Sequence, residues 1–84
     1  MYICTTNKIK RLIEKGADVN TKGEYGSTLL HYAALRNNIE IAKLLIASGA
    51  DVGAKRWDGE TPLRWANWVK SNEVATLLRE HGAE

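Results

Sequence analysis

Apolar residues recur at intervals of three and four along most of the chain, which is the spacing of one face of an α-helix. One run of this kind stops before Gly49, a residue able to end a helix with a positive φ. Two shorter runs follow Thr28 and Thr61, which are residues of N-cap type, and Pro62 suits the first turn of a helix. The pattern predicts pairs of short helices, which must stack on neighbours because neither helix is stable alone. The apolar positions are Leu30, Ala33 and Ala34, then Ile39, Ala42, Leu45 and Ile46, then Leu63 and Ala66.

The same pattern repeats at a fixed interval. Gly16, Gly49 and Gly82 lie 33 residues apart, and each is followed by alanine and an acidic residue. Without a gap, residues 26–51 and 59–84 are identical at ten of 26 positions. Units of this length bury their apolar faces only by stacking, so the sequence predicts a solenoid.

A third copy is partial. Residues 8–20 match residues 41–53 at seven of 13 positions, and the chain before them is too short for a first helix. Several apolar positions of the middle unit become polar in the outer units, as terminal units of a solenoid require, and we therefore expect a chain that is complete or nearly so. The predicted organisation is a single domain over 1–84, with a partial N-terminal repeat at 1–22, a full repeat at 23–55 and a C-terminal capping repeat at 56–84.

These units resemble the ankyrin repeat, a family whose 33-residue unit begins Thr-Pro-Leu-His and ends Leu-Leu…Gly-Ala-Asp-Val-Asn. The second unit here begins Gly26-Ser-Thr-Leu-Leu-His-Tyr-Ala-Ala, and the third begins Gly59-Glu-Thr-Pro-Leu-Arg-Trp-Ala-Asn. The resemblance covers nearly the whole chain. It implies an all-α fold, an ankyrin-type helical repeat solenoid of stacked antiparallel helix pairs joined by short hairpin-like loops.

Two positions depart from the family pattern. Leu29 stands where the family has proline, and Arg64 stands where it has histidine. In the family, the threonine and histidine tie the start of the helix to the loops. The resemblance therefore implies a structural role for Thr28 with His31, and it implies no such tether at Arg64.

Composition and charge exclude several classes of protein. The chain has 84 residues, of which 44% are hydrophobic and 26% charged, and a domain this small leaves little room for a large internal active site. The net charge of +2 comes from mixed signs and is too small to argue for nucleic acid. Cys4 has no partner for an internal disulfide and no zinc-ligand spacing. Because no apolar run approaches about 18 residues and the first residues given lack the order of charge, apolar stretch and cleavage site of a signal peptide, we expect a cytoplasmic protein without a membrane span.

The sequence carries no pattern typical of catalysis. His31 and His81 are the only histidines, and neither has a nearby serine or cysteine to form a nucleophile–base pair. The glycines lack the context of a phosphate-binding loop. We therefore assign no catalytic residue, no cofactor-binding residue and no metal ligand, and we expect no enzyme.

Protein binding is the function that the resemblance implies, because ankyrin-type units bind partners with their loop tips and the exposed side of their first helices. Tryptophan, tyrosine and arginine dominate interface energies, which favours this interpretation. The residues themselves also allow a packing role for both tryptophans. In that role Trp57 would fold back over its own loop, and Trp68 would cover a gap at Asn67. We expect Trp65, the equivalent of Tyr32, to serve mainly in packing. The predicted partner-binding residues are Lys22, Glu24, Tyr25, Leu35, Arg36, Lys55, Trp57, Asp58, Trp68 and Val69.

Two other functions stay open at this stage. One is a structural or assembly role, in which the N-terminal half repeat stacks on a second copy or another domain around Ile3, Ile9 and Leu30. The other is an RNA or lipid contact through a basic stretch, although such stretches are usually solvated faces and we expect no nucleic acid. That stretch comprises Lys8, Lys10, Arg11 and Lys15. The sequence does not identify the partner protein, because specificity lies in variable surface residues.

Overall fold

Five short α-helices make up the part of the chain that the structure describes. The computed structural model describes residues 6–83, and within them the chain forms helices and turns but no strand. A short 3₁₀ turn, Glu24–Gly26, precedes the second helix. The all-helical prediction is confirmed. The helices are α1 (Thr6–Glu14), α2 (Leu29–Arg36), α3 (Ile39–Ala47), α4 (Pro62–Trp68) and α5 (Asn72–Glu80).

Three helices begin at side chains that satisfy free backbone N–H groups. Thr28 is the N-cap of α2, and Thr61 caps α4 by accepting the backbone N–H of Arg64 on its Oγ1 at 3.2 Å. Asn38 caps α3 in the same way, since its Oδ1 accepts the N–H of Ile41 at 3.1 Å. The two threonine caps predicted from the sequence are confirmed.

The repeated glycine motif marks the end of the second helix of each unit. After α3, Gly49 takes a φ of +93°, and the N–H of Ala50 then returns to the carbonyl of Leu45 at 2.9 Å. Gly16 and Gly82 adopt the same left-handed conformation after α1 and α5. Because a side chain is strained there, glycine at this position turns the chain toward the next loop.

The helices stack in two rows. Helix α2 pairs with α3 and α4 pairs with α5, while the first helices α2 and α4 pack on each other and α1, α3 and α5 form the second row. Leu45 and Leu78 are fully buried between the layers, as the apolar spacing predicts. The remaining large core side chains include Ile9, Leu30, Ile41, Leu63, Val74 and Leu77.

Side-chain hydrogen bonds also join successive pairs. The hydroxyl of Ser71 donates to the carbonyl of Ala34 at 2.6 Å in a buried position. Asn20 bridges two loops, because its Oδ1 accepts the N–H of Asp51 at 2.7 Å and its Nδ2 donates to the carbonyl of Gly49 at 3.2 Å. These bonds fix the spacing of the units on which the candidate site is built.

Candidate functional site

His31 is buried between the two helix pairs and forms a structural tether. Its Nδ1 lies 3.1 Å from the backbone nitrogen of Thr28 and 3.0 Å from the Thr28 hydroxyl, and its Nε2 lies 2.9 Å from the carbonyl oxygen of Glu60. Because a backbone N–H only donates, Nδ1 is the acceptor, and the ring proton sits on Nε2 and is donated to Glu60. The imidazole therefore ties the start of α2 to the loop before α4, as the resemblance implies.

The environment of His31 favours this neutral ring. Burial lowers the pKa of His31 below its ordinary value of 6.5. The hydrogen bond to the Glu60 carbonyl opposes this change, the charges of Arg56 and Lys22 add to it, and the charge of Asp58 opposes it. A neutral imidazole is the form that the bond from the Thr28 N–H to Nδ1 requires.

The third unit replaces the histidine tether with surface contacts. The Nε of Arg64 lies 3.0 Å from Oε2 of Glu60 in an exposed ion pair one helical turn away. The Oδ1 of Asn67 accepts a hydrogen bond from Nη2 of Arg79 at 3.2 Å. Arg64 thus makes no equivalent of the buried His31 contact, in agreement with the departure seen in the sequence.

The loops before α2 and α4 lie side by side and are joined through their backbones. The N–H of Trp57 donates to the carbonyl of Tyr25 at 3.0 Å. Gly26, at a φ of +76°, lies under the indole, because a Cβ added there would be 2.8 Å from Cδ1 of Trp57. Trp57 therefore packs on the neighbouring loop rather than over its own, while remaining 78% exposed. Lys22 also joins the loops, since its Nζ donates to the carbonyl of Lys55 at 2.7 Å.

A groove of about 380 Å³ lies between these loops and the first helices. We call it the loop–helix groove. It brings together three of the residues predicted from the sequence, Glu24, Tyr25 and Leu35. The full lining is Gly23, Glu24, Tyr25, Ser27, Tyr32, Leu35, Arg56 and Trp65.

Arg56 is the charged residue of this groove that sequence reasoning missed. Its Cζ lies 4.5 Å from the centroid of the Trp65 ring and 5.4 Å from that of Tyr25, so two rings from different units hold one guanidinium. Its Nη2 lies 3.6 Å from Oδ2 of Asp58. The ring of Trp65 also contacts that of His31 edge to face, with the ring centroids 5.5 Å apart, so Trp65 serves in packing, as predicted. It lines the groove as well. Tyr32 and Trp65 occupy equivalent positions 33 residues apart, and this spacing is the signal in the sequence that could have predicted that both line one groove.

The other predicted residues lie outside the loop–helix groove. Trp68 is 77% exposed and lines a separate depression with Glu60, Arg64 and Asn67. Arg36 borders a small pocket next to α1, and Val69 and Lys55 are exposed. That Trp57 and Trp68 hold one ligand together stays a prediction.

A second, apolar groove of about 320 Å³ lies between α1 and α2. We call it the α1–α2 groove. The assembly hypothesis placed a contact at Ile9 and Leu30, but these residues are only 2% and 1% exposed because they fill the core, so that part of the prediction is wrong. Ile3 lies outside the described residues. The apolar side chains that do line the groove are Leu12, Ile13, Ala17, Val19, Leu29 and Tyr32.

A metal site or a membrane span would each indicate another function, and residues 6–83 bear on both. Within this range no group of three or more histidine, cysteine, aspartate or glutamate side chains is placed to hold a metal ion. In the same part of the chain, every helix is too short or too polar to cross a membrane.

Comparison with known proteins agrees with the arrangement of helices, caps and loops. A family model described as ankyrin repeats in three copies matches residues 1–84. The chain belongs to the ankyrin repeat family. Ankyrin repeats are generally modules that bind other proteins.

Two curated relatives match parts of the chain. An ankyrin repeat protein of Rickettsia bellii (strain RML369-C) is 51% identical over 37 residues, which are 44% of this chain and 22% of the relative. An I-Kappa-B like protein, C2, of Microplitis demolitor bracovirus (isolate Webb) is 50% identical over 38 residues, which are 44% of this chain and 21% of the relative. The matched segment thus spans about a fifth of the length of each of these relatives.

Proposed function

We propose that this ankyrin repeat domain binds a partner protein through the loop–helix groove and the loop tips beside it. The observation that carries the proposal is a set of large apolar side chains left exposed on one face. Tyr25 and Leu35 line the groove, and Trp57 lies on the adjoining loop tip. Exposed aromatic patches of this kind are typical of protein interaction sites.

The rigidity of the loops supports the same function. Backbone hydrogen bonds close each loop, from Gly23 N–H to the Ser27 carbonyl at 2.8 Å and from Arg56 N–H to the Glu60 carbonyl at 2.9 Å. Because the loops are already ordered, ordering them adds little to the free-energy cost of binding a partner. We propose an interaction module without catalysis, and its cytoplasmic location stays a prediction.

The test is capture of a partner from extracts of the native cell by immobilised wild-type and variant domains. We expect the double variant Trp57→Ala/Trp68→Ala to retain far less of a protein that the wild type captures. The two single variants show whether Trp68, in its separate depression, shares in the contact. Lys43→Ala, on the exposed side of α3, is the control that should capture like the wild type. Equal capture by all variants would contradict the proposal.

Self-association is a second candidate, favoured by the α1–α2 groove. Leu12 is exposed at its edge, so a second copy is a partner of suitable chemistry for this apolar surface. Sedimentation at rising protein concentration tests it. A dimer that Leu12→Glu dissociates and that survives Trp57→Ala/Trp68→Ala would support assembly, whereas a monomer at all concentrations would contradict it.

A further inference from the structure

Arg56 lines the loop–helix groove with a charged side chain that is largely buried. Its side chain is only 14% exposed, and the guanidinium rests against the rings of Trp65 and Tyr25. Stacking of this kind fixes the orientation of the charged plane and uses its faces, while the N–H groups at its edge remain available for hydrogen bonds.

The guanidinium is short of acceptors. Its Nε is buried without a hydrogen-bond partner, the one such side-chain atom among the residues that the structure describes. The nearest carboxylate, on Asp58, lies at 3.6 Å, beyond hydrogen-bond distance, and its other oxygen accepts the backbone N–H of Glu60 at 3.1 Å. The buried Nε is out of a ligand's reach, but arginine carries five donors and this side chain lines the groove, so its other N–H groups can bond an acceptor that enters there.

The walls of the groove limit what that acceptor is. Tyr32, Leu35 and Trp65 give it an apolar lining, in which a charge-assisted hydrogen bond is stronger than in open water. A volume of about 380 Å³ suits one or two side chains rather than a folded domain. An extended peptide that places a carboxylate beside an apolar side chain fits both features.

Charge distinguishes this ligand from other classes. A cationic ligand is disfavoured, because the rings of Trp65 and Tyr25 already hold the cation of Arg56. A nucleic acid brings a row of phosphates past Glu24 and Asp58, which flank the groove, and the net charge of the chain is only +2. A single carboxylate placed on the guanidinium meets less of this repulsion than a row of phosphates does.

We propose that Arg56 receives an aspartate or glutamate side chain of the partner protein, with an apolar neighbour of that residue packed on Tyr32, Leu35 and Trp65. This inference rests on the proposed function of the same groove. It makes the partner an acidic peptide segment and gives the groove its specificity through a charged, hydrogen-bonded contact.

The test is selection from a random peptide library displayed on phage, with the wild-type domain as bait. We expect the selected peptides to be enriched in aspartate or glutamate next to an apolar residue. The strongest peptide should bind Arg56→Gln at least about tenfold more weakly, and Arg56→Lys should restore only part of the loss because lysine lacks the planar fork. Arg79→Gln removes the same charge on α5 and should bind like the wild type.

Two further measurements keep the result independent of folding. The same peptide with its acid replaced by the corresponding amide should lose affinity for the wild-type domain to a similar degree. Thermal unfolding followed by circular dichroism shows that each variant is folded at the temperature of the binding assay.

The outcomes separate this inference from the proposed function. Peptides without acids, whose binding needs Tyr25 and Trp57 but is unchanged by Arg56→Gln, would overturn the inference and leave the binding function standing. Selection of no peptide would overturn the inference, while the capture experiment still decides the function. Binding of oligothymidylate that depends on Arg56 would also overturn it, in favour of a nucleic-acid ligand.

Discussion

At the scale of single residues, the buried histidine shows how one side chain holds two repeats together. His31 accepts from the start of its own helix and donates to the Glu60 carbonyl, which belongs to the next unit. The bond accepted at Nδ1 needs the neutral ring, so protonation breaks the tether there and places a charge in the core. The stability of the domain should therefore depend on pH through this one group.

The first prediction concerns that pH dependence. The pKa of His31 is lowered in the folded state, so below about pH 6.5 the unfolded chain binds more protons at this residue. The stability contributed by His31 is present above that pH and is lost as the pH falls toward the folded pKa. We expect His31→Gln to show a shallower fall in melting temperature over this range than the wild type. Parallel curves for the two proteins would contradict the assignment.

The second prediction concerns the tether itself. His31→Ala should lower the free energy of unfolding by about 1 to 3 kcal/mol at neutral pH, because it leaves the Thr28 N–H and the Glu60 carbonyl without their partner. His81→Ala, at an exposed position, is the matched control and should change little. Urea denaturation measures both. A fully stable His31→Ala protein that fails to capture its partner would instead point to a binding role.

The third prediction concerns the core. Leu45→Ala should cost about 2 to 5 kcal/mol, because the side chain is fully buried and its removal leaves a cavity. Leu35→Ala deletes the same atoms at an exposed position and should cost far less. A loss under about 1 kcal/mol for Leu45→Ala in chemical denaturation would contradict its place in the core.

Residues differ in how much of their role the sequence reveals. The role of His31 is implied by the resemblance of its motif to the ankyrin repeat, and that of Leu45 follows from the apolar spacing. Arg56 does not, because its ring contacts are Tyr25, which is 31 positions earlier, and Trp65, which belongs to the following helix. Only the stacking of two loops creates that contact, and no periodicity along the chain records it.

At the scale of elements, the helices are more predictable than the loops. Thr28 and Thr61 mark helix starts because capping is a local interaction, and the glycine after each second helix marks its end. The conformation of the loop tips depends on contacts between units. Gly26 shows this, since its neighbour is the Trp57 indole of the next loop.

The fourth prediction therefore concerns Gly26. Gly26→Ala should destabilise the domain by about 1 to 3 kcal/mol, because the residue has a φ of +76° and the added Cβ would meet the Trp57 ring at 2.8 Å. Gly23→Ala is the control, since its nearest atom would be 3.8 Å away and its φ is negative. Thermal unfolding compares them. Equal stability of the two variants would contradict the packing of Trp57 on Gly26.

At the scale of the whole molecule, the two rows of helices present different surfaces. The first helices and their loops carry the exposed aromatic side chains and the loop–helix groove. The second helices α3 and α5 present more polar positions, among them Lys43, Thr76 and Glu80. The fold thus offers partners one face rich in the residues that dominate interfaces.

The central claim is that this face contacts another protein, and site-specific photo-crosslinking tests it most directly. A benzoylphenylalanine is introduced at Tyr25, at Leu12 or at Thr76, and the domain is irradiated in its native cell. The positions report on the loop–helix groove, the α1–α2 groove and the second helices. The account predicts an adduct with a different protein from position 25 and none from position 76. Adducts only from position 76, or only with a second copy from position 12, would contradict it.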